Sequence, residues 1–198
     1  MPPRAAHRRW RSSPAGALLL SGLLLCAKAG AELSEALDYS PYEVPMHGGD
    51  SLRALLNAAS PVRINGGIYH AYTQWDVHWH YRYAQEDNGR CGIAGVRTEL
   101  TATMTLPAPS DPAIARNPVF IEYLAALKRH EQGHYEIGRR AAAAIDAGIL
   151  ALPVQDSCDA LGRAANEFAS TQLARAREIE LRYDRDTGSG RTQGAWLK

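Results

Sequence analysis

Residues 117–150 read NPVFIEYLAALKRHEQGHYEIGRRAAAAIDAGIL, a stretch with the spacing of one long helix. Asn117 is a good helix N-cap, and Pro118 suits the first helical position, where a missing N–H costs nothing. No proline follows before Leu150, and Phe120, Leu124, Leu127, Glu131, His134 and Ile137 fall on one stripe at helical spacing. One long helix is therefore expected from Asn117 to about Leu150. Leu152–Asp156 makes a short connection, and Ser157 caps a second amphipathic helix over Cys158–Leu181 with apolar Leu161, Ala165, Phe168, Leu173 and Ile179. The two helices are expected to pack antiparallel, and Gly188 and Gly190 then open a tail.

Upstream the period shortens to two. From Gly66 to Tyr83 the chain is aromatic and β-branched, with Trp75, Val77, Trp79, Tyr81 and Tyr83 at alternate positions, the pattern of a half-buried strand with odd-numbered side chains inward. Gln85–Gly89 supplies a turn, and Ile93–Leu106 a second strand with Val96, Thr98 and Leu100 alternating. Tyr39–Pro45 reads as a short strand, and Gly48-Gly49-Asp50 as a turn ending in the N-cap of a short helix, Ser51–Ala59, that Pro61 stops. Pro107–Pro118 holds four prolines and reads as a loop. The expected fold is α+β: an antiparallel β-sheet packed beside two long antiparallel helices.

The chain has 198 residues and a formal net charge of +1, but five of its 22 basic residues precede the first acidic one, Glu32. The remainder carries 17 basic against 21 acidic groups, so the body is mildly acidic, which argues against nucleic acid as a partner. Residues 1–13 are cationic, Ala15–Ala27 is an apolar run too short to span a bilayer comfortably, and small residues near Ala29–Ala31 offer a cleavage site. Residues 1–31 are thus expected as a signal peptide for the general secretory route, leaving a single domain, 32–198, that is secreted or periplasmic without a stable membrane anchor. Removal of the signal takes Cys26 with it. Cys91 and Cys158 remain as a natural disulfide pair in an oxidising compartment, the alternative being two separate buried thiols.

Inside the first long helix lies His130-Glu131-Gln132-Gly133-His134, an HExxH motif. Residues four apart on a helix stand one above the other, so both imidazoles can meet one metal ion, and Glu131 projects toward a metal-held water. Two imidazoles suit Zn2+, and the reaction class is peptide-bond hydrolysis with Glu131 as general base. The bland alternative is a solvated helix face bearing these residues among Lys128, Arg129, Glu136 and Arg139.

A catalytic zinc needs a third protein ligand. Glu167, in Asn166-Glu167-Phe168-Ala169-Ser170, is similar to the third-ligand segment of thermolysin-like enzymes, and Asp184 and Asp186 are the other candidates. Residues 183–190 also mimic the start of a calcium loop, but Ala195 stands where an EF-hand requires Glu. His78 and His80 share the strand face opposite Trp75 and Trp79, where solvent exposure is expected.

Thr73-Gln74-Trp75 with Trp79, one Cys before a strand ending Thr105-Leu106-Pro107, the HExxH helix, a second Cys, and the terminal Tyr183-Asp184-x-x-Thr187 with Gly190-Arg191-Thr192-Gln193-Gly194-Ala195 occur in that order. Over residues 36–196 the chain resembles the bacterial group described as predicted secreted zinc-dependent proteases, the domain of unknown function 922. The resemblance implies His130 and His134 as metal ligands, Glu131 as general base and a Cys91–Cys158 disulfide. The terminal motif of that group usually reads Thr-x-His-Gly, and here Ser189 stands in place of the His, so either a carboxylate from Asp184, Asp186 or Glu167 completes the site or a water does.

The sequence therefore points to an exported zinc metallopeptidase-like protein acting on a peptide or protein substrate, cell-wall peptides included. The rival from another class is a non-catalytic envelope binding or structural module whose metal site has degenerated, and Ser189 is the feature that favours it.

Overall fold

The computed structural model describes residues 31–197, so the expected signal peptide lies outside the described residues except for Ala31. The chain runs through strand β1 (Ala31–Val44), helix α1 (Leu52–Ala59), strands β2 (Arg63–Ile64), β3 (Gly67–Ile68), β4 (Tyr72–Gln85) and β5 (Cys91–Pro109), and helices α2 (Pro112–Ala115), α3 (Pro118–Leu150) and α4 (Cys158–Thr187). A short 3-10 turn, Arg191–Gln193, follows α4.

The three long strands form one sheet in the order β1-β5-β4. β4 and β5 pair antiparallel as the expected hairpin, but β1 runs parallel to β5, with Ala31 opposite Val96 and Val44 opposite Pro109. The sheet is therefore mixed rather than antiparallel. The connection from β1 to β4, which contains α1 and the β2–β3 hairpin, passes the end of β5 to reach its far side, and β4 then carries the chain back so that β5 runs parallel to β1. β1 is an edge strand, which is why Pro41 is tolerated within it.

Several expected boundaries shift. Gly67–Ile68 does not belong to the long strand but pairs with Arg63–Ile64 around Asn65-Gly66, whose φ values of 50° and 79° fit the type I′ hairpin turn. The cap of α1 is Ser51, whose hydroxyl accepts from the Ala54 N–H, rather than Asp50. A turn of helix, α2, capped by Asp111, interrupts the proline-rich loop. Within β4 the inward alternation holds through Thr73, Trp75, Val77, Trp79 and Tyr81 and fails at Tyr83, which is 55% exposed just past a bulge between Arg82 and Tyr83.

α3 begins and ends where the sequence places it, with Asn117 accepting from the Val119 and Phe120 N–H groups. α4 begins at its Ser157 cap but continues to Thr187, where Gly188 closes it in the left-handed conformation.

The helices cover one face of the sheet, and two adjoining cores result. Val44, Leu55, Leu56, Met104, Ile114 and Phe120 fill one beneath the start of α3, and Val96, Leu100, Ile145, Ile149, Ala165 and Ala169 fill the other between β5, α3 and α4. Each fully buried large side chain is worth about 1.5–3 kcal/mol of transfer free energy. The small residues matter as much. A Cβ on Gly138 would stand 2.7 Å from the Trp75 indole, and one on Gly148 would stand 2.1 Å from the Phe168 ring, so α3 admits both aromatics only through glycine. Cys91 and Cys158 form a disulfide with Cα atoms 5.0 Å apart, tying the head of β5 to the head of α4. Among the described residues, no helix is long and apolar enough to cross a membrane.

Candidate metal centre

The HExxH segment occupies the middle of α3, on the side that faces β4 and the end of α4. His130 and Glu131 are 5% and 4% exposed, so the segment is not a solvated face. Lys128, Arg129 and Arg139 take the exposed side instead.

Both imidazoles converge on one carboxylate oxygen. Asp184 Oδ1 lies 3.2 Å from His130 Nε2 and 3.1 Å from His134 Nε2. These three residues form a group whose ligating atoms all lie within 4.8 Å of one another and that could hold a metal ion. Nitrogen and oxygen ligands at 2.0–2.1 Å from a tetrahedral zinc sit roughly 3.3 Å apart, close to the separations found here.

The opposite nitrogens are held as well. His130 Nδ1 lies 3.0 Å from Gln193 Oε1, which can only accept, so Nδ1 carries the proton and Nε2 presents its lone pair. Gln193 Nε2 in turn donates to the Tyr183 hydroxyl at 3.0 Å, and that hydroxyl donates to the His130 carbonyl at 3.1 Å. His134 Nδ1 faces Glu180 Oε1 at 3.4 Å, and the same oxygen accepts from Trp75 Nε1 at 2.8 Å. Partners of this kind orient imidazole ligands in metal sites.

Backbone placement depends on two glycines. A Cβ on Gly133 would stand 2.1 Å from the Tyr183 hydroxyl, so the fourth residue of the motif must lack one for Tyr183 to reach His130. Gly190, at φ +86°, lies against the His130 ring, and a Cβ there would approach Cγ to 3.1 Å.

Charge in the site favours a cation. Burial opposes the charged form of His134, but Asp184 and Glu180 outweigh it and push its pKa up to about 9. Burial likewise resists ionisation of Asp184, yet the two imidazoles hold it well below the usual carboxylate range. Burial raises the Glu131 pKa against the pull of Thr73 and both imidazoles, and among the described residues its Oε2 has no hydrogen-bond partner. Thr73 on β4 donates to the Glu131 carbonyl at 3.1 Å, fastening the sheet edge to the motif.

The other candidates lie elsewhere. Glu167 is exposed and borders an open hollow with Tyr81, Tyr83 and Arg163 near the disulfide, and Asp186 is exposed on the far side of α4 from Asp184. Ser189 lines the same cleft as the histidines, and its backbone N–H donates to the Asp184 carbonyl at 2.8 Å. His78 and His80 are exposed.

Comparison with known families finds a match over residues 39–191 to bacterial proteins of unknown function, DUF922. The chain belongs to this family. No curated protein matches it, and no solved structure does. In this DUF922 chain Tyr183 and Gln193 stand in the terminal motif with no role that the sequence assigns, and Glu180 carries no sequence signal while α4 is ended at Leu181. Once α4 is extended to its glycine cap, the spacing of Glu180 and Asp184, one helical turn apart, puts both carboxylates on the face toward His134.

The site opens into a cleft of about 890 Å³, lined by His70–Val77 along β4 and its approach, by α3, and by residues 173–197. Among the described residues β4 is the edge of its sheet on this side, with an unpaired main-chain row along the cleft.

Proposed function

We propose that this protein is an exported zinc-dependent peptidase in which His130, His134 and Asp184 hold the metal and Glu131 is the general base. The observation that carries the reading is the convergence of both Nε2 atoms on Asp184 Oδ1 while both Nδ1 atoms face fixed acceptors. Two neutral imidazoles and one carboxylate are a donor set that zinc accepts with a position left open. When bound, zinc would polarise a carbonyl and lower the pKa of a coordinated water.

Glu131 has the attributes of a proton shuttle. Its carboxylate is buried beside the ligands with Oε2 unpartnered, and burial raises its pKa toward the working range. It takes the proton of the attacking water at Oε2 and delivers it to the leaving amine nitrogen. The free edge of β4 supports an extended peptide as substrate, since such an edge offers main-chain hydrogen bonds along the cleft. The disulfide supports an oxidising compartment, and the register of contacts from Gly148 with Phe168 to Gly133 with Tyr183 supports two antiparallel helices.

The test is metal analysis paired with Glu131→Gln. Wild type is expected to take up one zinc per chain and hydrolyse a denatured protein substrate, and the variant to keep zinc while losing about 100-fold or more in rate. Zinc uptake without hydrolysis by wild type would overturn the catalytic role and leave a metal-binding protein, whereas the degenerate-site module that Ser189 suggests takes up no zinc. No zinc uptake after reconstitution removes both the metal and the enzyme.

A further inference from the structure

The cleft extends past the histidines toward α1 and residues 191–197, and that arm carries two arginines. Arg53, in the first turn of α1, sets its guanidinium carbon 5.0 Å from the centroid of the Trp196 ring, and Arg191 sets its own 4.0 Å away. Both arginines are exposed, and among the described residues neither makes an ion pair with a carboxylate.

Two cations gathered on one indole repel each other, and the negative face of the ring offsets only part of that repulsion. An anion received by both guanidiniums removes the repulsion and gains charge-assisted hydrogen bonds, for which planar donor forks and a carboxylate are well matched. The indole also limits the freedom of each long side chain, so less order must be imposed when a ligand arrives. The arm is tied to the metal centre through the backbone, because Arg191 directly follows Gly190, which lies against the His130 ring. The charge of Arg53 acts on the cleft as well: after burial, it is the largest influence lowering the pKa of His70, another residue of the lining.

We propose that Arg53 and Arg191, backed by Trp196, anchor a substrate carboxylate, so that the substrates are peptides presenting a carboxylate near the bond held at the His130–His134–Asp184 group. This rests on the peptidase reading and names its substrate class. The carboxylate has two sources, an acidic side chain or a free C-terminus.

Binding to the Glu131→Gln protein, with zinc and again after chelation, separates them. The probes are three peptides of one sequence, measured by calorimetry and tryptophan fluorescence: one with a central Glu and an amidated end, one with Gln and a free C-terminal carboxylate, and one with Gln and an amidated end. One of the first two is expected to bind about 10-fold tighter than the third, and its identity names the source. In the Arg53→Gln, Arg191→Gln double variant that preference should shrink to about twofold, and Lys at both positions should keep part of it because charge remains without the fork. Equal binding of all three peptides by the parent protein overturns the anchor whatever the variants do, as does an unchanged preference in the double Gln variant. A preference that persists while wild type cleaves none of the peptides counts against the peptidase reading alone, and cleavage without preference counts against the anchor alone.

Discussion

The ring of Tyr183 lies stacked on the ring of His130, with centroids 5.0 Å apart and planes 11° from parallel, while its hydroxyl donates to the carbonyl of that same histidine. One side chain therefore fixes both the plane of the imidazole and the backbone that carries it, and it also receives the amide of Gln193, which sets the tautomer. Tyr183→Phe keeps the stack and removes the hydroxyl. Zinc affinity, read by competition with a chromophoric chelator, should fall by about 10-fold, with stability lowered by about 1 kcal/mol. Unchanged affinity would mean that stacking alone orients His130.

Gly133→Ala puts two principles in opposition. Alanine gains roughly 1 kcal/mol over glycine inside a helix. Here its Cβ would meet the Tyr183 hydroxyl at 2.1 Å and Cζ at 2.3 Å, so the ring must leave its place. Overpacking of this kind costs about 1–3 kcal/mol, and the net change in urea denaturation should be a loss. Pairing it with Tyr183→Ala should recover part of the loss, since the clash is then gone.

Asp184→Asn removes the shared oxygen's charge at the meeting point of the two imidazoles. Zinc affinity should drop by roughly 100-fold, whereas Glu167→Gln and Asp186→Asn, both exposed, should change it by no more than about twofold. A larger loss from either of the latter would move the third ligand away from Asp184.

How much of this was legible beforehand depended on how local each signal was. The α3 boundaries were readable because Asn117, Pro118 and the stripe from Phe120 to Ile137 all act within a turn or two of themselves. The HExxH pair was readable for the same reason. Parallel pairing of β1 was not, since which edge of β5 it takes depends on a crossover rather than on the composition of residues 31–44. The small hairpin was announced by Asn65-Gly66, a turn signal that the aromatic run beginning nearby obscured. The third position of the metal group stayed open because α4 was ended at Leu181. Its true cap, Gly188, carries Tyr183 and Asp184 into the helix and so toward α3.

His70 gives the pH dependence a distinct component. Its Nδ1 meets the Tyr123 hydroxyl and its Nε2 meets Asn57 Oδ1, each at 2.7 Å, and burial together with Arg53 and Arg63 lowers its pKa. A histidine with a depressed folded pKa contributes stability that is complete above its unfolded value of about 6.5 and is lost as pH falls. His134 contributes with the opposite sign, since its pKa is raised to about 9 and its share fades as pH rises through that value. Denaturation of wild type beside His70→Gln should therefore show wild type losing more stability than the variant on descending below about pH 6.5. Parallel curves would show that His70 is not protonated preferentially on unfolding.

Gln193 and Asp184 reach the HExxH helix from some 50 to 60 positions further along the chain. The five residues HEQGH are thus only half of an address, and the other half is written in a separate helix and the turn beyond it. A proteolytic fragment ending before Asp184 would retain every letter of HEQGH and still possess no centre. If the proposed centre takes up metal, its retention measures whether the two halves have found each other, an integrity assay for the whole domain that the motif by itself cannot supply.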